Sequence, residues 1–288
     1  MILKESDENM DIEKNFSDVL SNYPNYHKLS IGGQKVVYSI NHPKYGYCVL
    51  KIGVVPNGAS LERIQREVQT LKKIDSKYYP KNYDFQILSN NRFFIVEEFL
   101  NGDPLSNHLS QFSDIKNALN LLRKMVEGLI VIWDMNIVHR DLKPNNIIIT
   151  PDRDVRIIDL GIARLLDETS ITKTSAIRGP HTPLYAAPEQ LQNRKSEVDI
   201  RTDQFNLGII FLQLLLKGQH PFDPALVKKG LTIDENILND QWYRDLFNDA
   251  KYFSIKPIIE KLLGKEPHMR FRTPDQLISC IDQKLGGK

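Results

Sequence analysis

Two early runs, Val36-Val-Tyr-Ser-Ile40 and Tyr47-Cys-Val-Leu-Lys-Ile52, are rich in β-branched and aromatic residues and predict strands. Between them, Asn41-His-Pro-Lys-Tyr-Gly46 is a turn by composition, so the pair reads as a hairpin. Phe93-Phe-Ile-Val96 predicts another strand. One helix interrupts this region: Leu61, Ile64, Val68 and Leu71 recur at helical spacing behind Ser60 as N-cap. Beyond Asn101-Gly102-Asp103-Pro104 long helical patterns dominate, over Ile115 to Met135 and Asp203 to Leu216. The expected fold class is therefore α+β. A polar arm or short helix is expected over 1–25, a β-rich part over 26–98, a join over 99–104 and a mainly helical part over 105–288.

With 288 residues, 41% hydrophobic and 26% charged, the chain has a globular composition that excludes collagen and wholesale disorder. Lys plus Arg number 38 and Asp plus Glu 36, a net charge of +2. That balance gives no sign of a nucleic-acid partner. The two cysteines, Cys48 and Cys280, are far apart and are expected to be reduced thiols rather than part of a metal cluster. The apolar run Leu207–Leu216 contains Gln213, stops at Lys217 and is too short to span a bilayer. The acidic start of the chain lacks an apolar signal region, so no membrane span and a cytoplasmic location are expected.

The chemistry concentrates in His139-Arg140-Asp141-Leu142-Lys143-Pro144-Asn145-Asn146. This places a carboxylate, a cation and an amide on one short loop. A carboxylate can orient a hydroxyl and accept its proton, a lysine can neutralise charge developing on a phosphoryl group, and an amide oxygen is a hard ligand suited to Mg²⁺. Thirteen residues beyond Asn146, the strand-like Val155–Ile158 ends in Asp159-Leu160-Gly161, where Asp159 is a second candidate metal ligand. A third segment reads Thr182-Pro183-Leu184-Tyr185 and then Ala187-Pro188-Glu189.

In this order and spacing the motifs resemble those of the eukaryotic-type (Hanks-type) serine/threonine protein kinases, from about Tyr26 to the C-terminus. The lean architecture is similar to bacterial or phage members. The resemblance implies a two-lobed fold, a small β-rich N-lobe with one key helix and a larger helical C-lobe, with ATP bound between them. It implies Lys51 on the ATP phosphates and Glu67 as its partner; Glu62 is the alternative but sits off the helix face shared by Ile64, Val68 and Leu71. Asp141 and Lys143 would be catalytic, and Asn146 and Asp159 would hold Mg²⁺, with Mn²⁺ as an alternative ion. Ile31, Gly32 and Gly33 would cover the phosphates, Val37, Val49 and Ile148 would flank the adenine ring, and Glu98, Phe99 and Leu100 would offer it backbone groups. Glu189 would pair with Arg270 rather than Arg272, and Asp203 would brace the catalytic loop, all as structural residues.

Two departures stand out. The family's three loop glycines fall on Ser30, Gly32 and Lys35, so only the middle one is kept. Gly32-Gly33 can still turn tightly, and Lys35 either meets a phosphate or points to solvent. The position governing the depth of the adenine pocket is Glu97. A carboxylate there must be paired or protonated, so it is expected either to hydrogen-bond near Lys51 or to face water behind the nucleotide. Lys143 favours a Ser or Thr acceptor on a protein substrate. The segment from Asp159 to Glu189 carries Thr169, Ser170, Thr172, Thr174 and Ser175, and a phosphate there, at Thr172 or Thr174, is expected to dock on Arg140 and Arg164. Two rival readings are a pseudokinase, favoured by the altered glycine loop and Glu97, and a small-molecule phosphotransferase, opposed by Ala187-Pro188-Glu189.

Overall fold

The computed structural model describes residues 15–32, 35–54, 72–89, 91–160, 184–227 and 229–286. They fall into two compact units that divide between Asn101 and Gly102.

The first unit is an antiparallel five-stranded sheet in the order β1-β2-β3-β5-β4. Its strands are β1 (His27–Gly32), β2 (Lys35–His42), β3 (Gly46–Val54), β4 (Asn82–Ile87) and β5 (Arg92–Glu98). The predicted hairpin is present, but its turn is shorter than the composition suggested because Asn41 and His42 pair with Tyr47 and Gly46. His42 Nδ1 accepts the backbone N–H groups of Lys44 (3.1 Å) and Tyr45 (3.3 Å), which closes the turn. Gly46 takes φ 73°, the left-handed conformation that glycine adopts without steric cost.

Side chains alternate across a strand, so the sheet has two distinct faces. Val36, Tyr38, Ile40, Cys48, Leu50, Ile52, Phe94 and Val96 line one face and form a single buried cluster with Phe16, Val19, Leu20 and Tyr23. These last residues lie in and around the short helix α1 (Ser17–Leu20). Arg92 of β5 anchors the helix by a paired contact to Asp18 at 2.8 and 3.0 Å and packs over the Phe16 ring. The second face carries Val37, Val49, Lys51, Ile95 and Glu97. The helix expected over Leu61 to Leu71 lies outside the described residues.

The second unit is mainly helical. Its helices are α2 (Ile115–Trp133), α3 (Pro188–Leu191), α4 (Ile200–Leu215), α5 (Ile233–Leu238), α6 (Lys256–Leu262) and α7 (Pro274–Leu285), joined by 3₁₀ turns. Asp114 caps α2 by accepting the Asn117 N–H, and helical geometry ends at Trp133, two residues before the predicted end. Helix α4 is buried from Thr202 to Leu215, which explains an apolar composition all round rather than on one stripe. It starts at Ile200, earlier than predicted, because Asp199 is the cap and accepts the Arg201 N–H. Gly208 lets α4 approach α6 closely: a Cβ there would lie 2.8 Å from Leu263 Cδ2 and 2.9 Å from Leu262 Cβ. A small antiparallel sheet of β6 (Asp103–Pro104), β7 (Ile147–Ile149) and β8 (Val155–Ile157) completes the unit. No helix among the described residues is long and apolar enough to cross a membrane.

Candidate active site

In the first unit, Lys51 sits at the middle of β3, opposite Val37 of β2 and Ile95 of β5. Glu97 pairs with Val49 and is thus the diagonal cross-strand neighbour of Lys51 on the same face. Lys51 Nζ lies 2.5 Å from Glu97 Oε2, and both residues are buried, at 5% and 7% exposure. Of the two placements expected for Glu97, the structure has the one beside Lys51. Two ions withdrawn from water this far persist only in close contact, because either alone would be costly to bury. Val37 and Val49 are half-buried beside them.

Ile31 and Gly32 pair with Val36 and Lys35 at the end of the β1–β2 ladder. Gly33 and Glu67 lie outside the described residues. Glu98 ends β5 and is tied to Lys81 twice: its N–H donates to the Lys81 carbonyl (2.9 Å), and its carboxylate accepts the Lys81 N–H (3.1 Å). Phe99 and Leu100 follow outside the strand, half-buried, with the Phe99 ring centroid 4.5 Å from that of Tyr47.

In the second unit, Asp141, Lys143 and Asn146 come together on one loop. Lys143 Nζ lies 2.8 Å from Asp141 Oδ2. Asn146 Nδ2 donates to the Asp141 backbone carbonyl (2.8 Å) and to Asp141 Oδ2 (3.1 Å). Both partners are acceptors, so the amide nitrogen must face them, which leaves the Asn146 oxygen as the atom able to bind a hard cation. Asp159 supplies a carboxylate at the end of the strand segment that follows. Its predecessor is pinned on both sides: Ile158 N–H donates to the Asn146 carbonyl (2.9 Å), and His139 Nε2 lies 3.1 Å from the Ile158 carbonyl. An amide oxygen and a carboxylate on tethered backbone form a donor set that fits Mg²⁺. Ile148 is buried in β7, opposite Pro104. Gly102 passes so close to this strand that a Cβ would lie 2.5 Å from the Ile149 carbonyl oxygen.

The loop is braced from beneath by Asp203 in the first turn of α4. Its carboxylate accepts the N–H groups of His139 and Arg140 and the indole N–H of Trp133, each at 2.9 Å. Burial pushes this carboxyl above its ordinary range, opposed by the donated bonds. Glu189 meets Arg270 in a fully buried bidentate pair at 2.6 and 2.9 Å. Arg270 also donates to the carbonyls of Gly264, Arg201 and Lys265, which uses all five of its N–H groups. Arg272 is exposed and takes no part.

Other residues of this unit had no functional reading from sequence. Asn206 Nδ2 donates to the Tyr185 carbonyl (2.5 Å), Tyr185 Oη to Gln213 Oε1 (2.8 Å), and His220 Nε2 lies 3.0 Å from the Leu184 carbonyl. Burial lowers the His220 pKa to about 4. These groups fasten the chain just ahead of Ala187. The one signal for them was Gln213, a lone amide in an apolar run. Arg140 is half-buried, whereas Arg164, Thr169, Ser170, Thr172, Thr174, Ser175, Thr182 and Pro183 lie outside the described residues.

The family model for the protein kinase domain matches residues 23–279. The serine/threonine-protein kinase PknA of Corynebacterium glutamicum is 32% identical over 201 residues, covering 66% of this chain and 42% of that protein. PknA of Mycobacterium tuberculosis is 30% identical over 248 residues, covering 83% of this chain and 55% of that protein. The serine/threonine-protein kinase PrkC of Bacillus subtilis is 28% identical over 239 residues, covering 81% and 35%. The chain thus spans about a third to a half of the length of these relatives. A family match over most of the chain, with a braced Asp141–Lys143–Asn146 loop inside it, places this chain in the protein kinase domain family.

Proposed function

We propose that the chain is an ATP-dependent kinase transferring the γ-phosphoryl group to Ser or Thr hydroxyls of protein substrates. The observation that carries this reading is the carboxylate of Asp141, held by Lys143 and Asn146 on a loop whose backbone is fixed by Asp203. Asp141 orients the acceptor hydroxyl and receives its proton as the hydroxyl oxygen bonds to the γ-phosphorus and the bond to ADP breaks. Lys143 and Lys51 offset charge on the phosphates. The oxygen of Asn146 and the carboxylate of Asp159 would hold Mg²⁺, which would offset negative charge on the phosphates. Val37, Val49 and Ile148 flank the adenine, Glu98 to Leu100 meet its edge, and Ile31 to Gly33 cover the phosphates. Glu67 is the helix partner of Lys51. The segment Thr169 to Ser175 is an autophosphorylation target whose phosphate docks on Arg140 and Arg164. An ordinary cytosolic setting suits the free thiols of Cys48 and Cys280.

The engagement of Lys51 by Glu97 favours one alternative, a nucleotide-binding pseudokinase. Purified protein with Mg²⁺ and γ-labelled ATP, run beside Asp141→Asn, separates the two. Label on Ser or Thr in the wild type, reduced at least about a hundredfold in the variant, supports the kinase. Nucleotide binding with no transfer to itself or to generic protein substrates supports the alternative.

A further inference from the structure

The peptide unit joining Arg140 to Asp141 is held at both ends. Its N–H, on Asp141, lies 3.3 Å from His139 Nδ1. Its carbonyl, on Arg140, accepts a 2.7 Å hydrogen bond from Gln190 Nε2, fifty residues further along the chain. Gln190 belongs to α3, and its other amide atom, Oε1, accepts the N–H of Ala187 at 3.0 Å. One amide side chain therefore ties the start of Ala187-Pro188-Glu189 to the peptide from which the Asp141 side chain springs. Arg140 has φ 67°, a conformation that a non-glycine residue holds only when its surroundings fix it. Asp203 fixes the N–H side of Arg140, and Gln190 fixes the carbonyl side.

We propose that Gln190 is a positioning residue for Asp141, coupling the segment around Ala187 to the orientation of the catalytic carboxylate. The proposal rests on the kinase reading of Asp141. Orientation matters because the carboxylate must meet a hydroxyl in line with the phosphoryl group, and small displacements of a catalytic group cost rate far more than stability. The bland alternative is that Gln190 merely caps α3. Chemistry separates the two roles. At the third helical position Glu serves as a cap as well as Gln does, since its carboxylate also accepts the N–H before the helix and is favoured near a helix N-terminus. A carboxylate has no proton to give the Arg140 carbonyl, and the two oxygens repel.

The test is Gln190→Glu and Gln190→Leu in the full chain, with kcat, KM for ATP, thermal melting and amide exchange of the peptide covering residues 139–142. The expected result for Gln190→Glu is a melting temperature equal to or above the wild type, KM for ATP within about twofold, kcat down about tenfold or more, and faster exchange at 139–142. Gln190→Leu should show the same kinetic split with some loss of stability. Unchanged kcat and unchanged exchange in a folded Gln190→Glu protein would overturn the proposal. A wild type that transfers no phosphate would defeat the kinase reading instead, and the exchange comparison would still decide whether Gln190 holds the peptide.

Discussion

Replacing Glu97 by Leu is the sharpest perturbation of the sheet unit. The Glu97 carboxylate lies 2.5 Å from Lys51 Nζ, with both side chains nearly sealed from water. Removing one member of a buried pair costs about 3–5 kcal/mol, because the remaining charge stays desolvated. Lys51 makes other contacts as well, so the lower end of that range applies. At roughly 2–4 °C per kcal/mol for a chain of this order of size, the melting midpoint should fall by about 6 °C or more. The partner experiment is Lys51→Met combined with Glu97→Leu. Replacing both ions with apolar groups of similar volume is often neutral or stabilising, so the double variant should melt higher than Glu97→Leu alone. The assay is thermal or urea unfolding of the wild type, Glu97→Leu, Lys51→Met and the double variant as a double-mutant cycle. A Glu97→Leu protein melting within about 2 °C of the wild type, or two changes that simply add, would refute a buried, coupled pair.

Two further outcomes follow from buried groups of the helical unit. Arg270→Lys should destabilise by about 3 kcal/mol or more, since a single ammonium cannot replace a bidentate guanidinium with three additional carbonyl partners; the urea midpoint measures it. His220 is held neutral, with its pKa lowered from 6.5 to about 4. The unfolded chain therefore binds the extra proton between those values, and stability is full above pH 6.5 and is lost as pH falls towards 4. That difference corresponds to about 3 kcal/mol, and a pH series of unfolding curves should show a shallower slope in this window for His220→Gln.

Much of this architecture was legible in the sequence, for physical reasons that differ by element. Strands β2, β3 and β5 declare themselves because they are central and rich in β-branched and aromatic residues. Strand β4 does display a polar and apolar alternation, Asn82-Tyr-Asp-Phe-Gln-Ile87, but Asn82 and Asp84 favour turns and no β-branched residue precedes Ile87, so this mostly half-buried edge strand went unread. The helical pattern of α4 was read from Asp203, three residues late, because the mostly polar Ile200-Arg-Thr-Asp203 precedes the apolar run; Asp199 caps the helix while Asp203 turns to the loop. The loop motif announced Asp141, Lys143 and Asn146 through spacing alone, since they interact within five residues of one another. Gln190, Asn206 and His220 were silent: each acts on backbone carbonyls far away in sequence, and a carbonyl carries no residue identity to recognise.

The left-handed residues explain why so many hydrogen bonds converge on one place. Arg140 and Asp159 have φ 67° and 65°, a conformation costing a non-glycine residue on the order of 1–3 kcal/mol. Around them lie the bonds from Asp203 to the His139 and Arg140 N–H groups, from Gln190 to the Arg140 carbonyl, and from Asn146 and His139 to the two polar groups of Ile158. Five such bonds at about 0.5–1.5 kcal/mol each offset roughly the cost of two strained residues. The loop is therefore not strained by accident of sequence. Its twist sets the direction of Asp141 and Asp159, and the network holds that twist without glycine, which under the proposed kinase function keeps both carboxylates in place. Loss of any one of these bonds should loosen the site more than it unfolds the protein.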